Sequence, residues 1–369
     1  MLTALFGKSI VAVRVMGAIC VFATALLVCR IATRLHSSLA GELSGAVAVL
    51  LITFASRGQA TMSETLAILP LAAGIEPFLL QEERGRKALW SGVCLAIAAL
   101  VRLNLALVAV AVLVTLFVDG VRHREWRPTA MYVAGGAIPM CVFIVVYGQV
   151  GELDTLLRAV FVAPFAYAVA GVLANVSIAP NVVMAAFVPP VLRQKRFWLV
   201  TVAVVASILV SGGGAAHYWI QAHPFSALLV GTGLASGLEH IRRPRLAWVC
   251  VPILAVAFAT LSDASLVRAY GDLEFRVRGR ATELAKYLEN EGAYGQPVFL
   301  LSDHIAHWWL DNKPLHRMAT HPSNLFRAEL LRVVEGPNAS PELIVGDIFS
   351  QRPLYVVREK RVRHLDRSP

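Results

Sequence analysis

The sequence predicts an all-α polytopic membrane bundle of about ten transmembrane helices, followed by a small C-terminal α/β extracytoplasmic domain. Three observations predict it. Of 369 residues, 57% are hydrophobic and only 16% charged, with a mean hydropathy of +0.64, which is more apolar surface than one water-soluble core of this length buries. Runs close to the roughly 20 apolar residues that a helix needs to cross about 30 Å of hydrocarbon recur until about Leu261. Past Leu261 the pattern changes to short alternating helix and strand signals.

Taken in order, the runs predict crossings at 10–31, 39–55, 63–80, 88–101, 103–118, 129–147, 180–192, 197–211, 219–238 and 246–261. Five basic loops fix their sense, because Lys and Arg are retained on the cytoplasmic side during insertion. These are Arg30/Arg34, Arg84/Arg86/Lys87, Arg122/Arg124/Arg127, Arg193/Lys195/Arg196 and Arg242/Arg243/Arg245. One topology accommodates all five if the apolar stretch 88–118, basic at both ends, crosses twice with a turn at Arg102-Leu103-Asn104. The opposite, outer face then receives the loop from Arg57 to Glu64, that turn, the segment 148–179, the loop 212–219 and everything after Leu261. The same topology puts Met1 on the outer face, an unusual start for a chain that enters its first apolar run at once, and one that an upstream helix would repair. Within 148–179, Leu156, Val160, Phe161 and Phe165 fit either an interfacial amphipathic helix or a buried loop helix.

The domains divide at 1–261 and 262–369. In the second, 275–290 predicts an amphipathic helix, 297–301 a buried strand, 305–310 and 324–334 further helices, and 353–357 a last strand. The net charge of +10 gathers in the loops and at the C-terminus, which reads as topology and contact with anionic lipid, not nucleic-acid binding. Cys20, Cys29, Cys94, Cys141 and Cys250 all lie in apolar segments without a CxxC spacing, so neither a disulfide framework nor a zinc framework is implied. His304, His307, His316 and His321 form one histidine cluster, weak as a zinc signal and better read as packing of His304 with Trp308 and Trp309 against the membrane surface.

The succession LFGKSIVAVR, ATMSETLAILPLA, ALWSGVCLAIAALVRLNLAL, AHYWIQAHPFSALLV and ELAKYLENEG followed by PVFLLSD resembles the GT-C class of membrane glycosyltransferases. Within it, the chain is similar to the branch of protein mannosyltransferases, aminoarabinose transferases and lipopolysaccharide-core galacturonosyltransferases. The resemblance is carried by order and topology over nearly the whole chain. It implies an inverting transferase that moves a sugar from a polyprenyl-phosphate donor to a glycan, lipid or protein acceptor at the outer face of a plasma membrane. It also implies a catalytic Asp or Glu in a first outer loop that precedes the LFGKSIVAVR phrase. The general base is therefore expected upstream of Met1, together with one further helix, and no residue of this numbering inherits that role.

Displacing a lipid phosphate from sugar C1 calls for a carboxylate base at the acceptor hydroxyl and for positive donors at the departing phosphate. Glu64, at an outer helix end in Thr61-Met62-Ser63-Glu64, matches the second acidic position of the family, which implies positioning of the acceptor or of a divalent metal ion; the bland alternative is a first-turn Glu on the helix dipole with Ser63 as cap. Arg102 and Asn104 are candidates for the lipid phosphate, against an interfacial Arg that snorkels. His217 and Tyr218, similar to the family's outer HY or RY phrase, are candidates for phosphate or sugar, against an ordinary aromatic belt with Trp219. Arg14 and Glu42 are expected to be structural, and Glu76, close to the inner interface where solvation is easy, to be silent. Two other classes stay open: a catalytically inactive relative that binds polyprenyl lipid or scaffolds glycan assembly, and a transporter, for which the sequence lacks a convincing internal repeat.

Overall fold

The computed structural model describes residues 10–55, 62–162, 194–210, 216–240, 249, 253, 279–320, 324–325 and 327–358. They are mostly helical and fall into two compact units: Ile10–Leu153 with the described part of Ala168–Asp263, and the described part of Asp154–Tyr167 with that of Ala264–Pro369. Met1 lies outside the described residues, as does the rest of the chain before Ile10, so the expectation that puts Met1 on the outer face falls there too.

The first unit is made of α1 (Ile10–Leu35), α2 (Ser38–Phe54), α3 (Ser63–Leu79), α4 (Arg86–Val101), α5 (Ala106–His123) and α6 (Arg127–Gln149). After α7 (Leu153–Leu157) in chain order come α8 (Lys195–Val210) and α9 (His223–His240), which return to this unit. Eight of the ten predicted segments are occupied by these helices. Segment 180–192 lies outside the described residues, and so does 246–261 apart from Val249 and Ile253, both helical. Among the described residues three helices are long and apolar enough to cross a membrane by themselves: Val11–Leu35, Leu103–His123 and Arg127–Gln149. α2 and α3 are each 17 residues and α4 is 16.

Outward faces are apolar. Along α1, Val11, Val15, Ile19, Phe22 and Leu26 form an exposed stripe at helical spacing, as Val110, Val114, Phe117 and Val121 do on α5. Such stripes suit hydrocarbon, where only helices with internally satisfied backbones persist. Inside, contacts rest on small residues. α4 and α6 approach so closely that a Cβ on Gly92 would meet Tyr132 O at 2.0 Å, and one on Gly135 would meet Leu89 O at 2.0 Å. Gly231 of α9 sits against Ser44 of α2 in the same way. Backbones packed this near trade side-chain volume for van der Waals contact, the usual attraction between helices in lipid.

Loops that carry the basic residues meet at one end of these helices. Arg30 pairs with Glu76 at 2.8 Å, and Glu82 takes both Arg34 at 2.7 Å and Lys87 at 2.5 Å. Arg196 binds Glu83, Asp119 at 2.9 Å and the carbonyl of Phe78 at 3.1 Å, with its guanidinium over the Phe78 ring. Hydrogen bonding from Lys87 holds the Glu82 carboxyl below its usual range, whereas burial pushes that of Glu83 up against the pull of Arg196. His36 and Ser37, between α1 and α2, meet Ser236 and Glu239 of α9.

The second unit holds α7, a π-helical turn at Arg158–Val162, α10 (Gly279–Asn290), β1 (Val298–Leu300), α11 (Ala306–Trp309), a 3-10 turn at Arg317–Thr320, α12 (Ala328–Glu335), α13 (Pro341–Ser350) and β2 (Tyr355–Val357). β1 and β2 pair in parallel, Val298 opposite Tyr355 and Leu300 opposite Val357. Because successive strand residues point to opposite faces, Val298 and Leu300 pack with Ala285, Leu288, Ala306 and Leu310, while Phe299 packs with Leu331, Ile344 and Ile348. Helices therefore cover both faces of a two-stranded sheet. α13 was not predicted, although Ser340 caps it by accepting from Leu343 N with Pro341 in the first turn.

If the α4–α6 approach sets the packing, Gly92→Ala or Gly135→Ala must separate two backbones. We expect each to lower stability by about 1–3 kcal/mol, read as a fall in thermal unfolding temperature in detergent. Gly148→Ala, with nothing near its Cβ position, should be close to neutral.

Candidate functional site

α3 opens on Met62, whose side chain makes no cap, so the cap at Ser63 of the alternative reading is not formed. Ser63 Oγ instead lies 3.1 Å from Glu64 Oε2, to which it donates. Glu64 sits in the first turn, favoured there by the helix dipole, and is buried at 1% exposure. A carboxylate so far from water needs a charged partner. Arg102 supplies it: Nη2 lies 2.9 Å from Glu64 Oε1 and Nη1 3.5 Å from Ser63 Oγ.

Arg102 is available because the helix stops before it. α4 ends at Val101, Arg102 is extended at φ −141° and ψ 99°, and a 3-10 turn, Leu103–Leu105, leads into α5. The break falls at the turn expected from sequence. Asn104 fixes it from behind, donating through Nδ2 to Ser207 O at 3.3 Å, Ser207 Oγ at 3.2 Å and Gln221 Oε1 at 2.9 Å.

The third wall is the 3-10 turn Ala216–Ala222, which runs directly into α9. His217 Nε2 lies 3.8 Å from Glu64 Oε1. The Tyr218 ring lies edge-on to His217 with centroids 4.7 Å apart and carries the Arg102 guanidinium 4.6 Å above its centre, a cation–π contact. Glu64, Arg102, His217 and Tyr218 thus form one cluster. Asn104 adjoins it with its amide donor committed to the protein. Gln221 and Ser207, both fully buried, were not singled out from the sequence. Gln221 stands three residues after Tyr218 in the phrase AHYWIQAHPF, and that spacing is the signal that pointed to it. The general base expected upstream of Met1 has no counterpart in this cluster, whose one carboxylate, Glu64, is already ion-paired, and Met1 itself is outside the described residues.

The described residues do not fit a divalent metal at this place. Glu64 and His217 are the two potential ligands at this place, and the Arg102 guanidinium already occupies the carboxylate. Among the described residues no group of three His, Cys, Asp or Glu is placed to hold a metal ion. The C-terminal histidines are divided: His316 Nε2 faces Glu335 at 3.9 Å, beside the tighter Arg317–Glu335 pair at 2.6 Å, and His321 lies outside the described residues. Burial, with the neighbouring His304, takes His307 down from 6.5 to about 4.

Removing Arg102 strands a buried carboxylate, so Arg102→Met is expected to cost about 3–5 kcal/mol, while the double variant with Glu64→Met recovers much of that loss; unfolding of the single and double variants measures the coupling. His307 is neutral when folded and takes a proton more readily when unfolded. Its contribution is therefore complete above pH 6.5 and declines as pH falls toward about 4. The unfolding temperature read from Trp308 and Trp309 fluorescence should drop over that range, and less steeply in His307→Phe.

A family model described as dolichyl-phosphate-mannose-protein mannosyltransferase matches residues 1–148. No curated protein and no solved structure matches the chain. The matched region contains Glu64, Arg102 and Asn104 and stops before His217 and Tyr218. Over that region the chain is similar to membrane glycosyltransferases of the GT-C type, which in general terms take a lipid-linked sugar to a glycan or protein acceptor.

Proposed function

We propose that this protein transfers a sugar from a polyprenyl-phosphate donor to a glycan, lipid or protein acceptor at the outer face of the plasma membrane, with its C-terminal unit on that side. The observation that carries the reading is the cluster of Glu64, Arg102, His217 and Tyr218 at helix ends, away from the ion-paired basic loops. A guanidinium and an imidazole side by side are the donors that a phosphodiester at the membrane surface calls for. The finer kinship, with protein mannosyltransferases, aminoarabinose transferases or galacturonosyltransferases of lipopolysaccharide core, belongs to the same proposal.

In this reading the acceptor oxygen attacks sugar C1 as the C1–O bond to phosphate breaks, and the polyprenyl phosphate departs with the bonding electrons. Arg102 and His217 stabilise the charge that grows on the phosphate, and they are worth most where water is excluded. Glu64 neutralises and aims Arg102 until the phosphate arrives. Because it is buried and ion-paired, Glu64 is not the base that takes the acceptor proton; that proton goes to a carboxylate outside the cluster.

The same burial favours a second reading, a relative that binds polyprenyl lipid without turning it over. Vesicles containing the protein and radiolabelled polyprenyl-phosphate-mannose separate the two. Release of bare polyprenyl phosphate with label passing to an acceptor supports transfer, and Arg102→Met should slow it about 100-fold or more. Tight binding of the lipid without release supports the second reading, and absence of binding removes both.

A further inference from the structure

Gln221 carries a buried amide that the proposed chemistry leaves unused. Its orientation is set by its neighbour. Asn104 Nδ2 lies 3.3 Å from the Ser207 carbonyl oxygen, and a carbonyl only accepts, so Asn104 turns its NH2 to that side and Gln221 answers with Oε1 at 2.9 Å. Gln221 Nε2 is left buried with no acceptor among the described residues, and Arg102 Nε is in the same condition. Buried donors are seldom left unpaired, because each forfeits the hydrogen bonds it had in water. The two belong to one place: positions three apart eclipse in a 3-10 turn, so Gln221 shares a face with Tyr218, whose ring lies beneath the Arg102 guanidinium.

We propose that Gln221 Nε2 donates to a hydroxyl of the donor's sugar while Arg102 Nε holds the donor's phosphate, so that Gln221 tells the sugar-bearing lipid from the bare polyprenyl phosphate. The assignment rests on the reading of this cluster as the donor-lipid site. Charge divides the labour. A phosphodiester is drawn to the guanidinium, whereas a neutral hydroxyl in a dry setting is matched by a neutral amide with no ionic desolvation to overcome. The bare lipid phosphate has no hydroxyl to offer Gln221, so it leaves an unpaired donor behind and is bound less well, which assists its release.

The test is equilibrium binding of two probes, polyprenyl-phosphate-mannose and polyprenyl phosphate, to the full chain in lipid nanodiscs. Wild type is expected to prefer the mannose-bearing lipid by about tenfold or more, since a site built to bond a hydroxyl rejects the analogue lacking it. Gln221→Met should abolish the preference by weakening the mannose-bearing lipid alone. Arg102→Met should weaken both lipids alike. A Gln221→Met protein that binds both probes as wild type does, or that loses both equally, overturns the proposal, as does a wild type without preference. A wild type that binds neither probe overturns the donor-lipid reading of the cluster itself.

Discussion

Among the packed helices of the first unit no solvent is at hand to stabilise a lone charge, and the carboxylate of Glu64, 1% exposed, therefore has to be met by a cation from the protein. Much of the local architecture is arranged around that requirement. Were α4 to continue as a helix through Arg102, the guanidinium would follow the helical screw; instead the chain turns extended for one residue and delivers it to Glu64 and Ser63. An interrupted helix exposes backbone groups, which are tolerated where protein shields them. Here the Asn104 amide ties the interruption to α8 through Ser207 and to the 3-10 turn through Gln221. One buried charge thus accounts for a broken helix, the tie that stabilises it and the placement of His217 and Tyr218.

The opposite end of the helices solves its charge problem differently. Glu82 is shared between Arg34 and Lys87, and Arg196 is shared among Glu83, Asp119 and a carbonyl. Apart from the buried Glu83 these groups are partly exposed, so water and salt weaken most of the pairs, and their value lies in linking α1, α3, α4, α5 and α8 at their ends. Both ends hold a buried carboxylate against a guanidinium that lies over an aromatic ring, Glu83 with Arg196 over Phe78 and Glu64 with Arg102 over Tyr218. They differ in that Arg196 is shared with Asp119 and a carbonyl, whereas Arg102 meets one carboxylate and a serine hydroxyl.

Much of the helical order was legible because apolar runs bounded by basic loops carry both the length and the sense of a segment, and the break at Arg102 was legible because 88–118 is basic at each end. Glu64, Arg102, His217 and Tyr218 stood out as polar residues at predicted helix ends, and the structure brings them into contact. Gln221 and Ser207 escaped notice because an uncharged polar side chain within a helical phrase gains meaning only from the distant neighbour that bonds it, here Asn104. α5 runs to His123, past the predicted end at 118, because Asp119 reaches Arg196 from a further helical turn. α13 escaped because Pro341 was not weighed as the opening residue of a helix, the one place where its missing N–H costs nothing.

The parallel pairing of β1 with β2 has a consequence for how the second unit comes into being. Antiparallel neighbours can zip up as soon as a tight turn has formed, but a parallel partner requires a crossover, and here the crossover contains α11, α12 and α13. Phe299 finds its packing partners Leu331, Ile344 and Ile348 in that same crossover. β1 therefore has neither its hydrogen-bonding neighbour nor one of its two apolar coverings until the chain through Val357 has emerged. During synthesis a short, wholly buried strand must wait exposed, and its closure is a late, long-range event.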